Sequence, residues 1–465
     1  MGKHTESDLT CASVSLTFNR SIRVSPSEQR LSSDAGALLL RELDERLGFT
    51  RAWEKTLLDP RDPRFIDYSL GELLRARVYL SAQGWRDQND ANRLREDPAL
   101  CSAVADRRGN EAVARVLASQ STQSRLIDTL ALRPNRRSLR WAHTDLAIRC
   151  RKLTREKPLE HFTLDLDSTD KVTHGSQEGT NYNGHYEHTC YHPLLAYVAE
   201  TGDLVGAWLR PGNVASQKGA SAFATGLLDR LEGDYGHVGT VRGDAAFATP
   251  SLMNRLDDRD TRFAFRLKTN EVLERLAAPF LKRPVGRPPN YVQEWTYELS
   301  YAAGTWRAPR RVVLVVIDDP NDRFMGEPVM RHFFIVTNYS VAERPGQDLL
   351  THYRERGTCE TWIGEFKNEV MPLLSSPRLA ENSATFTLGA IAFQLAHVLR
   401  TVVSELEDRP HRLSIAALRE RVLKVAVRFT RGKRRLFASI AASAWSSWRA
   451  LISWLAGPTP LYGRT

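Results

Sequence analysis

His161-Phe162-Thr163-Leu164-Asp165-Leu166-Asp167-Ser168-Thr169 is the stretch that decides how this chain is read. At His161 the texture changes from helical to strand-like, and on an extended strand alternate side chains share a face, which puts Asp165 and Asp167 on the same side. Charge in a central strand is costly unless it is paired or bound to a metal, and a hard cation such as magnesium would compensate it.

Outward from this stretch, segments 191–200 and 204–210 read as two further strands joined by the turn Glu200-Thr201-Gly202-Asp203. A helix is predicted over 217–232, a strand over 237–242, a short helix over 250–258 and a strand over 262–268. Three antiparallel strands, then helix, strand, helix and strand predict an α/β fold with a mixed sheet and helices on its faces, the order of a ribonuclease-H-like core. Asp244, in Val241-Arg242-Gly243-Asp244, falls just past the end of a later strand, where open α/β sheets collect ligands. The same residue also reads as an ordinary cap ahead of the next helix.

Tyr353, Arg356, Glu360 and Lys367 form the pattern Tyr-x2-Arg-x3-Glu-x6-Lys. At about 100° per residue they fall within roughly 60° of one another on a helix. Cys359, Trp362, Ile363, Phe366 and Val370 occupy the adjoining arc, so 349–370 is predicted to be one amphipathic helix with a polar row over an apolar base. The row combines a carboxylate able to hold a metal, two cations for phosphate oxygens and a phenol that hydrogen-bonds or stacks. In isolation a solvated helix face explains it equally well; the upstream acids give it meaning. A strand aspartate, a strand-end aspartate and a helix glutamate would together supply oxygen ligands for two magnesium ions about 3.5 to 4 Å apart, with manganese able to substitute. Such a pair would activate a water or a 3′-hydroxyl and stabilise the leaving oxygen of an in-line phosphodiester displacement.

These residues carry a resemblance. Asp167-Ser168-Thr169, Asp244 and the Tyr353, Arg356, Glu360, Lys367 series resemble the DDE transposases of bacterial insertion sequences that have a Tyr-Arg-Glu-Lys signature. Gln177-Glu178-Gly179, Tyr191-His192-Pro193-Leu194-Leu195, Ala199-Glu200-Thr201-Gly202 and Leu209-Arg210-Pro211-Gly212-Asn213 are similar to the IS thirteen-eighty branch, as are Asp59-Pro60-Arg61-Asp62-Pro63 and Leu94-Arg95-x-Asp97-Pro98-Ala99-Leu100. The resemblance implies cut-and-paste transposition, with Asp167, Asp244 and Glu360 as catalytic metal ligands. Asp167 fits the first acidic position because it stands two residues before a threonine, and Asp165 remains the alternative. Tyr353, Arg356 and Lys367 would position phosphates of the transposon end. Relatives resolve the excised end through a DNA hairpin and hold a flipped base on an aromatic residue of a β insertion, for which Trp295 and Trp306 are the candidates, ordinary packing being their other role.

The implied organisation is an extended arm at 1–30, a helical DNA-binding domain at 31–155, a catalytic core at 156–270 and 349–408 split by a β-rich insertion at 271–348, and a basic C-terminal region at 409–465. From Arg409 onward twelve Lys/Arg face one acid, Glu420, a net of +11, whereas the whole chain carries +10. That localised excess is the footprint of a polyanion-binding surface, and Arg431, Lys433 and Arg434, in a predicted basic hairpin, are expected to touch DNA phosphates. Arg287, in Gly286-Arg287-Pro288, lies in a Pro- and Arg-rich loop expected to contact DNA. In the helical part Arg75, Arg77, Arg86, Arg93, Arg95, Arg107 and Arg108 either touch the DNA backbone or balance nearby acids.

His174, His185, His188, Cys190 and His192 crowd one segment without paired zinc-knuckle spacing. Five scattered cysteines suit a reducing cytosol, and the chain is expected in the bacterial cytoplasm, associated with the nucleoid. The apolar stretch 386–403 contains Gln394, His397 and Arg400, so a buried helix is expected there and not a membrane span. The expected partners are double-stranded DNA, as terminal inverted repeats and target, and a second copy of the chain in a synaptic homodimer. The rival readings are a non-catalytic DNA-binding regulator derived from a transposase and a plain nuclease of the same fold.

Overall fold

The computed structural model describes residues 13–155, 157–282, 290–324, 327–409, 411–433 and 435–457. Its centre is an eight-stranded mixed sheet of β1 Leu159–Ser168, β2 Leu194–Val198, β3 Leu204–Trp208, β4 Gly236–Gly243, β5 Arg262–Leu267, β6 Gln293–Tyr301, β7 Arg310–Phe324 and β8 Glu327–Thr337. Across the sheet the order is β6-β7-β8-β5-β4-β1-β2-β3. β4 runs parallel to both β1 and β5, and every other pairing is antiparallel.

The strands of 271–348 extend this sheet. β8 pairs with β5 from Ala264↔Thr337 to Leu267↔Phe334, covering a strand that would otherwise be an open edge. β7 is buried on both faces: Val312, Leu314 and Val316 join the larger core, while Val313 and Val315 pack with Leu349, Leu350 and Tyr353.

The main helices are α1 Gly36–Leu47, α2 Leu70–Ala82, α3 Gln120–Ala131, α4 Arg133–Thr154, α5 Ala220–Leu231, α6 Pro250–Asp257, α7 Gly346–Arg354, α8 Gly357–Glu365 and α9 Leu379–Leu406. Ser69 and Glu72 close a capping box at the start of α2, which fixes where that helix begins. α9 is apolar and long enough to cross a membrane, yet 94% of its most apolar window is buried, against α2, α3 and α4. Its polar residues have partners at the β2–β3 turn: the Gln394 side chain accepts from the Leu204 N–H at 3.1 Å, and the His397 Nε2 lies 3.0 Å from the Thr201 carbonyl.

The basic hairpin consists of Val427–Arg431 and Leu436–Ile440 and takes Arg30–Ser32 as a third strand, so the two ends of the chain share one small sheet. Just before the hairpin, Arg419–Leu423 form a π turn.

Candidate active site at the carboxyl ends of β1 and β4

β1 and β4 are adjacent and parallel, with Leu166 opposite Gly243, so Asp167 and Asp244 emerge at the same end of the sheet. Asp167 is 15% exposed and takes the Ser168 N–H at 2.8 Å. Burial pushes its carboxyl up to about 6; Arg356 opposes the shift and the negative charge of Asp244 adds to it. Asp244 accepts from the Ala246 N–H at 2.9 Å, which holds the turn after β4.

Asp165 has another role. It is fully buried and held by two bonds from Arg242, Nε to Oδ1 at 2.7 Å and Nη2 to Oδ2 at 2.8 Å. A bidentate guanidinium pair compensates the buried charge that the sequence left to a metal, so Asp165 is not free to serve as a ligand.

The predicted single helix over 349–370 is broken into α7, α8 and a π turn at Phe366–Val370. Arg242 explains the break. Its Nη1 donates to the His352 carbonyl, the acceptor that the Arg356 N–H would use in an α-helix, and Arg356 turns instead to the Tyr353 carbonyl at 3.1 Å. Thr358 and Cys359 repeat this tighter spacing, bonding to the carbonyls of Glu355 and Arg356. The four signature side chains therefore do not form one straight row. Tyr353 is 9% exposed, its ring in an apolar cluster and its hydroxyl 3.5 Å from the Gly243 carbonyl, so it packs beneath the end of β4. Lys367 donates to Asp170, which also lies 3.1 Å from the His188 Nε2. Burial works against the Asp170 charge, but Lys367 holds the carboxyl below its usual range.

Arg356 lies between the acids. Its Nη1 donates to Asp167 at 2.8 Å and its Nη2 lies 3.4 Å from Glu360, whose side chain is 67% exposed. Asp167 and Asp244 are thus neighbours, and Glu360 reaches Asp167 through Arg356. Among the described residues no group of three His, Cys, Asp or Glu side chains closes on a common point. The donor set nevertheless suits a hard divalent cation: two carboxylates meet at a sheet end, one kept from its ordinary ionisation by burial, and an exposed glutamate lies one guanidinium away.

Among the DNA-contact candidates, Arg431 and Lys433 are exposed at the hairpin, while Arg287 and Arg434 lie outside the described residues. Trp295 packs against the sheet core that includes Val312, Leu314 and Val316, and Trp306 meets Tyr301 edge-on at 5.2 Å. His192 has its Nδ1 2.7 Å from the Val214 carbonyl. Arg75 and Arg77 are buried, which removes them from a DNA-facing surface. Arg86 instead donates to the carbonyls of Lys367, Asn368 and Met371 and ties the helical region to the signature segment.

Sequence reasoning also missed Arg210 as a scaffold. It is 1% exposed, and its guanidinium donates to the carbonyls of His192, Ser216 and Lys218. Beside it a Cβ on Gly212 would lie 2.0 Å from the Cys190 carbonyl, so the Arg210-Pro211-Gly212 segment clamps the connection between β1 and β2. The periodic signals of strand and helix say nothing of such loop contacts.

The fold is an α/β sheet with two aspartates together at the carboxyl ends of adjacent parallel strands, the place where open α/β sheets collect ligands. A family model described as transposase DDE domain group 1 matches residues 14–453, and the chain belongs to that family of DDE transposases, which cut DNA and transfer strands. Among solved structures it is similar to a piggyBac transposase synaptic complex with hairpin DNA, with 11% identity over 94% of this chain and 86% of that one and a TM-score of 0.44. No curated protein matches the sequence.

Proposed function

We propose that this chain is a cut-and-paste DNA transposase of the IS thirteen-eighty type, built on a ribonuclease-H-like core, that nicks its element's ends, frees a 3′-hydroxyl and joins it to target DNA. The observation that carries the reading is the meeting of Asp167 and Asp244 at the ends of parallel strands, with Arg356 linking Asp167 to Glu360. Asp167, Asp244 and Glu360 would hold the divalent cations, magnesium in the first place. When bound, these ions supply an activated oxygen nucleophile and stabilise the leaving oxygen.

The protein's own contribution is positional. Asp167 gives up its proton near pH 6 and then presents a full carboxylate. Arg356 neutralises that charge while the site is empty of cations and, on release, is placed to take a phosphate oxygen. Arg242 holds the α7–α8 corner against β1, which sets where Glu360 points. Two ends must be joined, so the working form is a homodimer on double-stranded inverted repeats.

Magnesium-dependent nicking of linear DNA carrying the cognate ends tests this. Glu360→Gln is expected to abolish cleavage and keep end binding; full cleavage by that variant would sink the assignment. Attack of the freed 3′-hydroxyl on a second DNA separates a transposase from a plain nuclease, and end binding without any cleavage by the native protein marks a regulator.

A further inference from the structure

On the far side of β1 from β4 the sheet ends in a second feature. β2 pairs Leu194 with Ser168, and β3 pairs Trp208 with Leu194, so Trp208 lies at the same end of the sheet as Asp167, two strands and about 10 Å across. α4 is fixed against β3 by the Thr144 hydroxyl donating to the Val205 carbonyl at 2.7 Å. Because α4 leads into the start of β1, its first turns lie toward that same end. Those turns carry Arg133, Arg136, Arg137 and Arg140, all exposed and without an acid among them.

Between α4, β3, α5 and the first turns of α9 lies a pocket of about 440 Å³, whose lining includes Arg136, Arg140, His143, Glu178, Trp208 and Phe223. Trp208 stacks on Phe223 at 6.2 Å and 27° and keeps 41% of its surface exposed. Gly219, at φ +76°, makes room for it, since a Cβ there would lie 2.7 Å from the indole. His143 is 2% exposed, and neither of its ring nitrogens has a partner. An unpartnered imidazole in an aromatic pocket offers one donor and one acceptor, the pattern that meets a nucleobase edge. A phenylalanine or aliphatic side chain from a protein partner would leave both nitrogens orphaned, and the exposed arginines of α4 favour a phosphate-bearing ligand over a tyrosine or tryptophan.

We propose that this pocket takes an unpaired nucleobase of the bound DNA, stacked on Trp208 with its edge toward His143, while the arginines of α4 hold the flanking phosphates. The inference rests on the DNA reading above but concerns a place distinct from the acidic centre.

Binding of the full-length chain, without divalent cations, to a blunt duplex and to the same duplex with a short single-stranded extension tests it by fluorescence anisotropy. The native protein is expected to prefer the extended probe by roughly ten- to a hundredfold. Trp208→Ala should erase that preference and leave affinity for the blunt probe unchanged, Trp208→Phe should retain most of it, and Arg136→Ala with Arg140→Ala should weaken both probes and flatten their salt dependence. Equal binding of the two probes by the native protein overturns the pocket and leaves the cleavage reading intact. So does a preference that survives Trp208→Ala, or a Trp208→Ala effect confined to self-association, which would give the pocket to a second copy. Failure to bind either probe sinks both readings.

Discussion

Arg242 and Asp165 pair by two hydrogen bonds, 2.7 and 2.8 Å long, in the interior of the sheet, and the same guanidinium takes the His352 carbonyl. One buried cation thus satisfies the strand's extra carboxylate and bends the signature segment. Arg242→Met, which strands a buried carboxylate, is expected to cost about 3–5 kcal/mol in denaturant unfolding. Adding Asp165→Leu should return most of that stability but not cleavage, because the bend at Arg356 loses its cause. Full activity in the double variant would show that the bend is immaterial.

Asp167 ionises at about 6 in the fold and at about 3.9 in an unfolded chain. A carboxyl raised in the folded state contributes stability that is present below about pH 4 and is lost as pH rises through about 6. Asp167→Asn is therefore expected to raise the melting temperature of the metal-free protein by about 1–3 °C at pH 7.5, with the difference vanishing near pH 4. A lower melting temperature at pH 7.5 would contradict the burial cost.

Cleavage by the native protein should rise with pH through about 6, as Asp167 becomes a full ligand. Arg356 lowers that carboxyl, so Arg356→Ala is expected to move the acid limb of the pH–rate profile upward as well as slowing the reaction. An unmoved acid limb would show that another group governs it.

Gly212→Ala places a methyl group 2.0 Å from the Cys190 carbonyl and should destabilise the chain by about 2–4 kcal/mol. Limited proteolysis should then cut first within 173–193, the connection that Arg210 and Gly212 hold. Unchanged stability would mean that the loop yields easily.

Alternation within a strand is a local property, and it was legible: 161–169 announced an extended segment with carboxylates on one face, and it forms the end of β1. The order of strands and helices from 191 to 268 was equally plain, read from short apolar runs bounded by turn residues, since Leu194–Val198 and Leu204–Trp208 are buried almost throughout; Tyr191, however, ends a separate strand, His188–Tyr191, in a small sheet of its own. The signature helix was not legible. Its apolar period continues through Tyr353 and Arg356, and only a side chain from β4, more than a hundred residues earlier, diverts the carbonyl that a straight helix needs. Nor could sequence divide the arginines: Arg77 and Arg242 are buried, Arg86 ties two regions together, and Arg136 lies exposed beside the aromatic pocket.

The sequence by itself determined where most of the core strands and helices form, which acids fall on strand ends and that the basic excess lies in the tail, because those properties depend on near neighbours. Only the tertiary structure decided that Asp165 belongs to Arg242 and Asp167 to the outer site, that the strands of 271–348 continue the sheet and that Arg356 stands between two acids. Ion pairs and sheet edges are settled by which distant groups meet, and that depends on how the whole chain packs.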